Sequence, residues 1–174
     1  ELLASEQAVQ YATELRAIEL ELTEGRDVSP RQSRLLKRLS RRDGTTPFND
    51  PLLNDWGLHH LHLKPEGTRD VLLVAFHQDT AHLVAVTPHA SAAPLSFYDP
   101  KLPEIVDSNW PGIYLDCGLL PAAEPCTPEE LKDLRGLVAL PIQLANGRQK
   151  LTYGLSCATN GLSSRVRSDA DYFH

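Results

Sequence analysis

Residues 71–76, Val71-Leu72-Leu73-Val74-Ala75-Phe76, are apolar on both alternating faces, the pattern of a central β-strand covered from two sides. Strand candidates flank them at Leu58 to Leu63 and Ala81 to Pro88, so an antiparallel meander is expected here. Asp79 and Thr80 are expected to turn the middle strand back on its successor. A two-residue loop at that place sets His77 opposite His82, Ala75 opposite Val84 and Leu73 opposite Val86.

Upstream, Ala8, Tyr11, Leu15, Ile18 and Leu22 recur at three- and four-residue steps, which predicts a helix from Leu3 to Glu24 that Gly25 can end. A second helix is expected to open at Ser29, Pro30 and Gln32, with the serine as cap, and to close at Gly44. Residues 47–57, with Pro47, Pro51, Asn54 and Gly57, read as a loop. Downstream, a short helix is expected around Glu104 to Asn109. Another starts at the capping box Thr127-Pro128-Glu129-Glu130 and stops at Gly136. Leu140, Ile142 and Leu144 then lead into Asn146-Gly147, the residues a type I′ hairpin turn favours. Pairing about that turn sets Leu144 against Gln149, Ile142 against Leu151 and Leu140 against Tyr153. The fold class is therefore α+β: an N-terminal helical hairpin, an antiparallel meander, short helices and a C-terminal β-hairpin, all strands in one sheet. The expected organisation is a single domain over 1–174, with the helical hairpin at 1–45 and the sheet with its short helices at 52–165.

At 174 residues and 19.3 kDa, one domain with a sizeable core is the natural size. Hydrophobic residues at 41% and charged residues at 23% exclude disordered and collagen-like classes. Basic minus acidic side chains give 17 − 23 = −6, which argues against coating DNA or an anionic membrane over the whole surface, so nucleic-acid contact must be local. The three cysteines, Cys117, Cys126 and Cys157, include no close pair suited to zinc, and their odd number argues against a disulfide framework. Without a long apolar run or signal-peptide pattern, the cytoplasm is the expected compartment and no membrane partner is expected. The chain begins with Glu and contains no Met, so it is expected to be a trimmed piece of a longer product.

Six of the seven histidines fall between His59 and His89. On a strand, His60 and His62 share one side while His59, Leu61 and Leu63 take the other. The expected arrangement packs the two leucines in the core and turns His60 and His62 into a cleft. Imidazoles there can be packed structural residues. They can also exchange protons near neutral pH, or bind zinc with a third ligand from His77, His82 or Asp55. Acid–base work on a phosphodiester also needs cations for the developing oxyanion, for which Lys64, Arg69, Lys150 and Arg165 are candidates. The candidate catalytic set is His59, His60, His62, His77, His82, Lys150 and Arg165.

Two stretches are candidates for anion binding. Arg31, Arg34, Arg38, Arg41 and Arg42 fall within an arc of about 100° on the second helix and suit bidentate contact with phosphate oxygens. The alternative is pairing with Glu14, Glu19, Glu21 and Glu24 of the first helix. The small, polar run from Tyr153 to Arg165, including Thr159 and Ser163, offers backbone amides and hydroxyls to an anion, or is an ordinary connection.

The stretch Asp55 to Leu63, the meander after it, the Asn109-Trp110-Pro111 corner and the segment Glu129 to Ser164 together resemble uncharacterised phage- and mobile-element-associated bacterial proteins. More loosely, helices leading into an antiparallel meander are similar to ribonuclease domains of the barnase, EndoU, colicin and RelE type. That resemblance implies a toxin or phage-conflict effector that cleaves RNA without a metal, with histidine or carboxylate acid–base groups and basic side chains. Its expected partners are RNA or an acidic protein such as an antitoxin, and no cofactor is expected. A non-enzymatic module that binds nucleic acid or protein, and a zinc-dependent hydrolase, are the alternatives.

Overall fold

A computed structural model describes residues 9–32, 51–116, 126–135 and 141–152. The apolar run forms a strand, Asp70–His77, whose residues 70–75 are all buried. With Leu58–His62 as β1, this strand as β2 and Thr80–Pro88 as β3, the three make an antiparallel meander in the order β1-β2-β3. Alternation along β2 feeds two cores. Val71, Leu73 and Ala75 enter one, and Leu72 and Val74 enter the other.

Helix α1, Ala12–Thr23, closes the second of these cores by setting Leu15 and Ile18 against Leu61, Leu63, Leu72, Val74 and Val86. It ends as its sequence predicts. Gly25 takes φ +66°, the Gly25 N–H reaches Leu22 O and the Arg26 N–H reaches Glu21 O, the paired bonds of a Schellman cap. Tyr11 ties the helix to the sheet by donating its hydroxyl to Asp70 Oδ2 at 2.8 Å. At the expected second helix the structure has a 3-10 turn, Ser29–Arg31, in which the Ser29 side chain makes no cap and the Asp27 carboxylate instead accepts the Ser29 N–H. The rest of that expected helix lies outside the described residues.

The opposite face of the meander carries the larger core. Helix α2, Pro51–Trp56, stands where a loop was expected. Leu52, Leu53 and Trp56 recur at helical steps and all three are buried, so burial of that stripe outweighs the turn-forming character of Pro51 and Asn54. Gly57, at φ +65°, ends the helix and hands the chain to β1. Helix α3, Lys101–Asn109, starts three residues earlier than expected, with Pro103 in its first turn, where proline is tolerated. It contributes Leu102 and Val106 to the core. Helix α4, Pro128–Arg135, begins with the expected capping box: Glu130 Oε2 accepts the Thr127 N–H at 2.8 Å and Thr127 Oγ1 accepts the Glu130 N–H at 3.3 Å.

The C-terminal strands correct the single-sheet expectation. A three-residue strand that the sequence reading missed, β4 at Tyr114–Asp116, joins β5, Ile142–Gln143, and β6, Gln149–Thr152, in a second antiparallel sheet ordered β4-β6-β5. β4 occupies the edge of β6, and Tyr114, Ile142 and Leu144 pack into the larger core, so this hairpin faces the helices and does not extend the meander.

Both predicted hairpin registers shift. At β2–β3 the loop is Gln78-Asp79, so His77 pairs with Thr80 and Ala75 with His82. A bulge between Leu73 and Val74 then sets Leu73 opposite Ala85. At β5–β6 the turn is a three-residue loop, Ala145-Asn146-Gly147, with Gly147 at φ +79° and the Gly147 N–H bonded to Leu144 O. Ile142 thus pairs with Lys150, not Leu151, and a one-residue slip exchanges faces along the whole strand. The Leu140–Tyr153 pairing lies outside the described residues.

Candidate functional site

The histidines divide as strand alternation requires. His59 points toward α1, its ring meeting Phe76 edge-on at 5.1 Å, while Leu61 and Leu63 are sealed beside it. His60 and His62 leave β1 on the other face. There they meet His89, which follows β3 directly. Ring centroids lie 6.3 Å apart for His60–His62, 5.5 Å for His60–His89 and 5.3 Å for His62–His89, the last pair stacked. Phe97 underlies the group, 5.2 Å from His60 and 5.6 Å from His89. His60 is 5% exposed and belongs to the interior, whereas His62 and His89 are half-buried.

Two backbone amides set the ring orientations. His62 Nδ1 accepts the Thr68 N–H at 3.1 Å, and Thr68 itself is held by accepting the Leu63 N–H and donating to Asp70 O. His89 Nδ1 accepts the Ser91 N–H at 3.1 Å, with Ser91 Oγ at 2.8 Å. An imidazole that accepts through Nδ1 carries its proton on Nε2 when neutral. In that state both rings present Nε2–H as a donor, and the basic nitrogen, Nδ1, is the one held by the backbone N–H. His89 belongs to this group although the sequence reading left it out of the candidate set. Its place one residue beyond a predicted strand end was the only signal.

His77 and His82 sit at the other end of the same sheet face. His77 lies six residues along β2 from Val71, the partner of His62, which is about 20 Å at the usual strand rise. His82 packs on Trp110 with centroids 5.0 Å apart, and burial, reinforced by the charge of nearby His77, holds its pKa below the usual value. A cavity of about 340 Å³ opens here, lined among others by Trp56, Gly57, His77, Gln78, Tyr114 and Thr152. This cavity lies beside His77, at the opposite end of the sheet face from His62, while His60 packs against Phe97.

Two of the candidate cations, Lys150 and Lys64, are engaged in ion pairs. Lys150 is 4% exposed on the second sheet, its ammonium 3.1 Å from Asp107 Oδ1 and 3.1 Å from Asp116 Oδ1. Arg148 joins the same network at 2.8 Å from Asp116 and, ahead of Lys150, holds that carboxyl below the usual range. Lys64 lies 3.6 Å from Glu14. Arg31, the first arginine of the expected basic strip, is buried and pairs with Glu21 of α1, the alternative its sequence left open. Arg34, Arg38, Arg41, Arg42, Thr159, Ser163 and Arg165 lie outside the described residues. Among the described residues, no three His, Cys, Asp or Glu side chains converge as metal ligands, and no helix is long and apolar enough to cross a membrane. No protein-family model, curated protein or solved structure matches this chain.

Proposed function

We propose that the chain is a toxin or phage-conflict effector that cleaves RNA without a metal, with His62 and His89 as its acid–base pair. In such a reaction one neutral imidazole, released from its backbone N–H so that the lone pair of Nδ1 faces the ribose, takes the proton of the 2′-hydroxyl, whose oxygen attacks phosphorus. A protonated imidazole supplies a proton to the 5′-oxygen as its bond to phosphorus breaks. The products are a 2′,3′-cyclic phosphate and a free 5′-hydroxyl, and the two imidazoles end with their protons exchanged. The observation that supports this reading is the pairing of two half-buried imidazoles, stacked with ring centroids 5.3 Å apart. His60, buried below them and against Phe97, supports the pair by packing.

The test is incubation of the full chain with a defined single-stranded RNA, with and without chelator, across pH 5–9 as a range of about 4 units that brackets the imidazole value. The expected result is cleavage that survives chelation, leaves cyclic phosphate ends and peaks near neutrality. His62→Ala and His89→Ala each lower the rate by about a hundredfold or more, while His59→Ala, on the other face, leaves it within a few-fold. Absence of cleavage, or cleavage that chelation abolishes, refutes the reading.

A further inference from the structure

A reaction at the His62–His89 pair builds negative charge on the non-bridging oxygens of a phosphodiester, and two imidazoles that exchange protons leave that charge uncompensated. Two cations at that end of the meander already face carboxylates. Arg31 pairs with Glu21 and Lys64 with Glu14, and Glu66, the acid of the β1–β2 turn, also acts on Arg31.

Arg69 differs. It is exposed, and among the described residues its guanidinium takes part in no ion pair or hydrogen bond. Its charge is felt at the Tyr11 hydroxyl, which is neutral at physiological pH and supplies no counter-charge. Its backbone lies between the contacts of the two imidazoles. The neighbouring Thr68 N–H donates to His62 Nδ1 at 3.1 Å, and the Arg69 carbonyl accepts the His89 N–H at 2.7 Å, one pair beyond Asp70 and Pro88 in the β2–β3 register. Arg69 thus stands across from one histidine and one residue from the anchor of the other, on a long stem that serves a group bound at either ring.

We infer that Arg69 is the phosphate-binding residue beside the His62–His89 pair, its guanidinium fork taking the two non-bridging oxygens of a phosphodiester. Arginine suits the task because it keeps its charge wherever imidazoles titrate and meets two oxygens at once. With a net charge of −6 the chain as a whole does not attract a polyanion, so a local cation has to hold the phosphate in place. The inference rests on the RNA-cleavage reading for its reaction, whereas the phosphate binding itself is measurable without one.

The experiment follows the ring C–H resonances of His62 and His89 in the full chain, assigned with His62→Ala and His89→Ala, during titration with inorganic phosphate at constant pH. Sodium chloride at matched ionic strength is the reference. Arg69→Gln removes the charge. The contact of Arg69 with His89 is made by its backbone, so the variant keeps the fold, which an unchanged melting temperature checks. The expected result is a saturable shift of both resonances by phosphate, weakened by about tenfold or more in Arg69→Gln, by less in Arg69→Lys, and within about twofold of the parent in Lys64→Gln. On a chain that cleaves RNA, Arg69→Gln lowers kcat/KM by about tenfold or more and leaves the pH profile in place. Lack of a phosphate-specific shift at tens of millimolar overturns the inference. So does phosphate binding, or cleavage, that is indifferent to Arg69→Gln. Phosphate binding that depends on Arg69 in a chain that leaves RNA intact refutes the cleavage reading alone and supports the phosphate site.

Discussion

Arg31 grips Glu21 with both arms of its guanidinium, Nε to Oε2 at 2.6 Å and Nη2 to Oε1 at 2.8 Å, while Nη1 donates to the Leu63 carbonyl at 2.6 Å. One side chain thus joins α1, the turn after it and the end of β1. Removing it strands a largely covered carboxylate and an unmet carbonyl. Arg31→Ala is expected to lower stability by about 2–4 kcal/mol in urea unfolding, and Arg31→Lys by less, since lysine keeps the charge but not the fork.

The same pair sets an acid limit. The hydrogen bonds from Arg31 hold the Glu21 carboxyl below its ordinary value of 4.5. A carboxyl with a lowered folded-state pKa contributes its full stability above the unfolded value, and that contribution is lost as pH falls through the folded one. Melting temperature should therefore drop below about pH 4.5 more steeply in the parent chain than in Glu21→Gln, which cannot titrate. Equal slopes would show that Glu21 carries no such linkage.

His82 gives a second, separate slope. Its folded pKa lies below 6.5 because burial opposes the charged ring, with the His77 charge adding to the effect. The sign is again that of a lowered pKa: stability is present above about pH 6.5 and falls as pH drops through the folded value. In an NMR titration His77→Ala should move the His82 midpoint up, but not as far as 6.5, since burial is the larger cause. A midpoint that does not move would disprove the coupling.

Lys150 neutralises Asp107 in a nearly closed setting, with side-chain exposures of 6% and 14%. Lys150→Met keeps the stem but leaves Asp107 without its cation, and is expected to cost about 2–4 kcal/mol. Adding Asp107→Asn should restore part of that loss, giving a coupling of about 1 kcal/mol or more in a double-mutant cycle. Strict additivity would mean that the pair is only nominal.

The two hairpin turns predict opposite signs. Gly147 sits at φ +79°, so Gly147→Val should cost about 1–2 kcal/mol or more, whereas Gln78→Gly relieves a strained position and should cost nothing or gain up to about 1 kcal/mol. Thermal melts of both variants check the pair.

Three segments whose signals agreed kept their reading. The capping box at Thr127, the helix end at Gly25 and the doubly apolar β2 each combined local chemistry with the right hydrophobic period, and each has its expected hydrogen bonds or burial. Registers were less legible: at β5–β6 the turn chemistry and the matched apolar positions agreed, yet on a pairing one residue away from the actual one. Asn146-Gly147 favours a two-residue turn, but the actual loop takes in Ala145, and that one residue moves Lys150 to the buried face in place of Leu151. β4, three residues long, is too short to carry a period. The histidine group was half legible: alternation separated His59 from His60 and His62, but nothing local in the chain announces that His89 returns to them.

That return depends on a parity. His82 and His89 are seven positions apart, an odd number, so an unbroken strand would send them to opposite sides. Val84, the residue left over where Leu83 pairs with Val74 and Ala85 with Leu73, resets the count, and Thr87 and His89 come round to the side of His62. Excising Val84 would remove that surplus residue: His82 and His89 would then stand six positions apart in a regular strand and still share the side of His62, at the cost of one buried valine. The bulge works as a phase shifter: with β3 at its present length, straightening the strand so that Val84 took a place in the ladder would turn His89 toward α1, whereas loss of Val84 itself would leave the stacked imidazole pair in place.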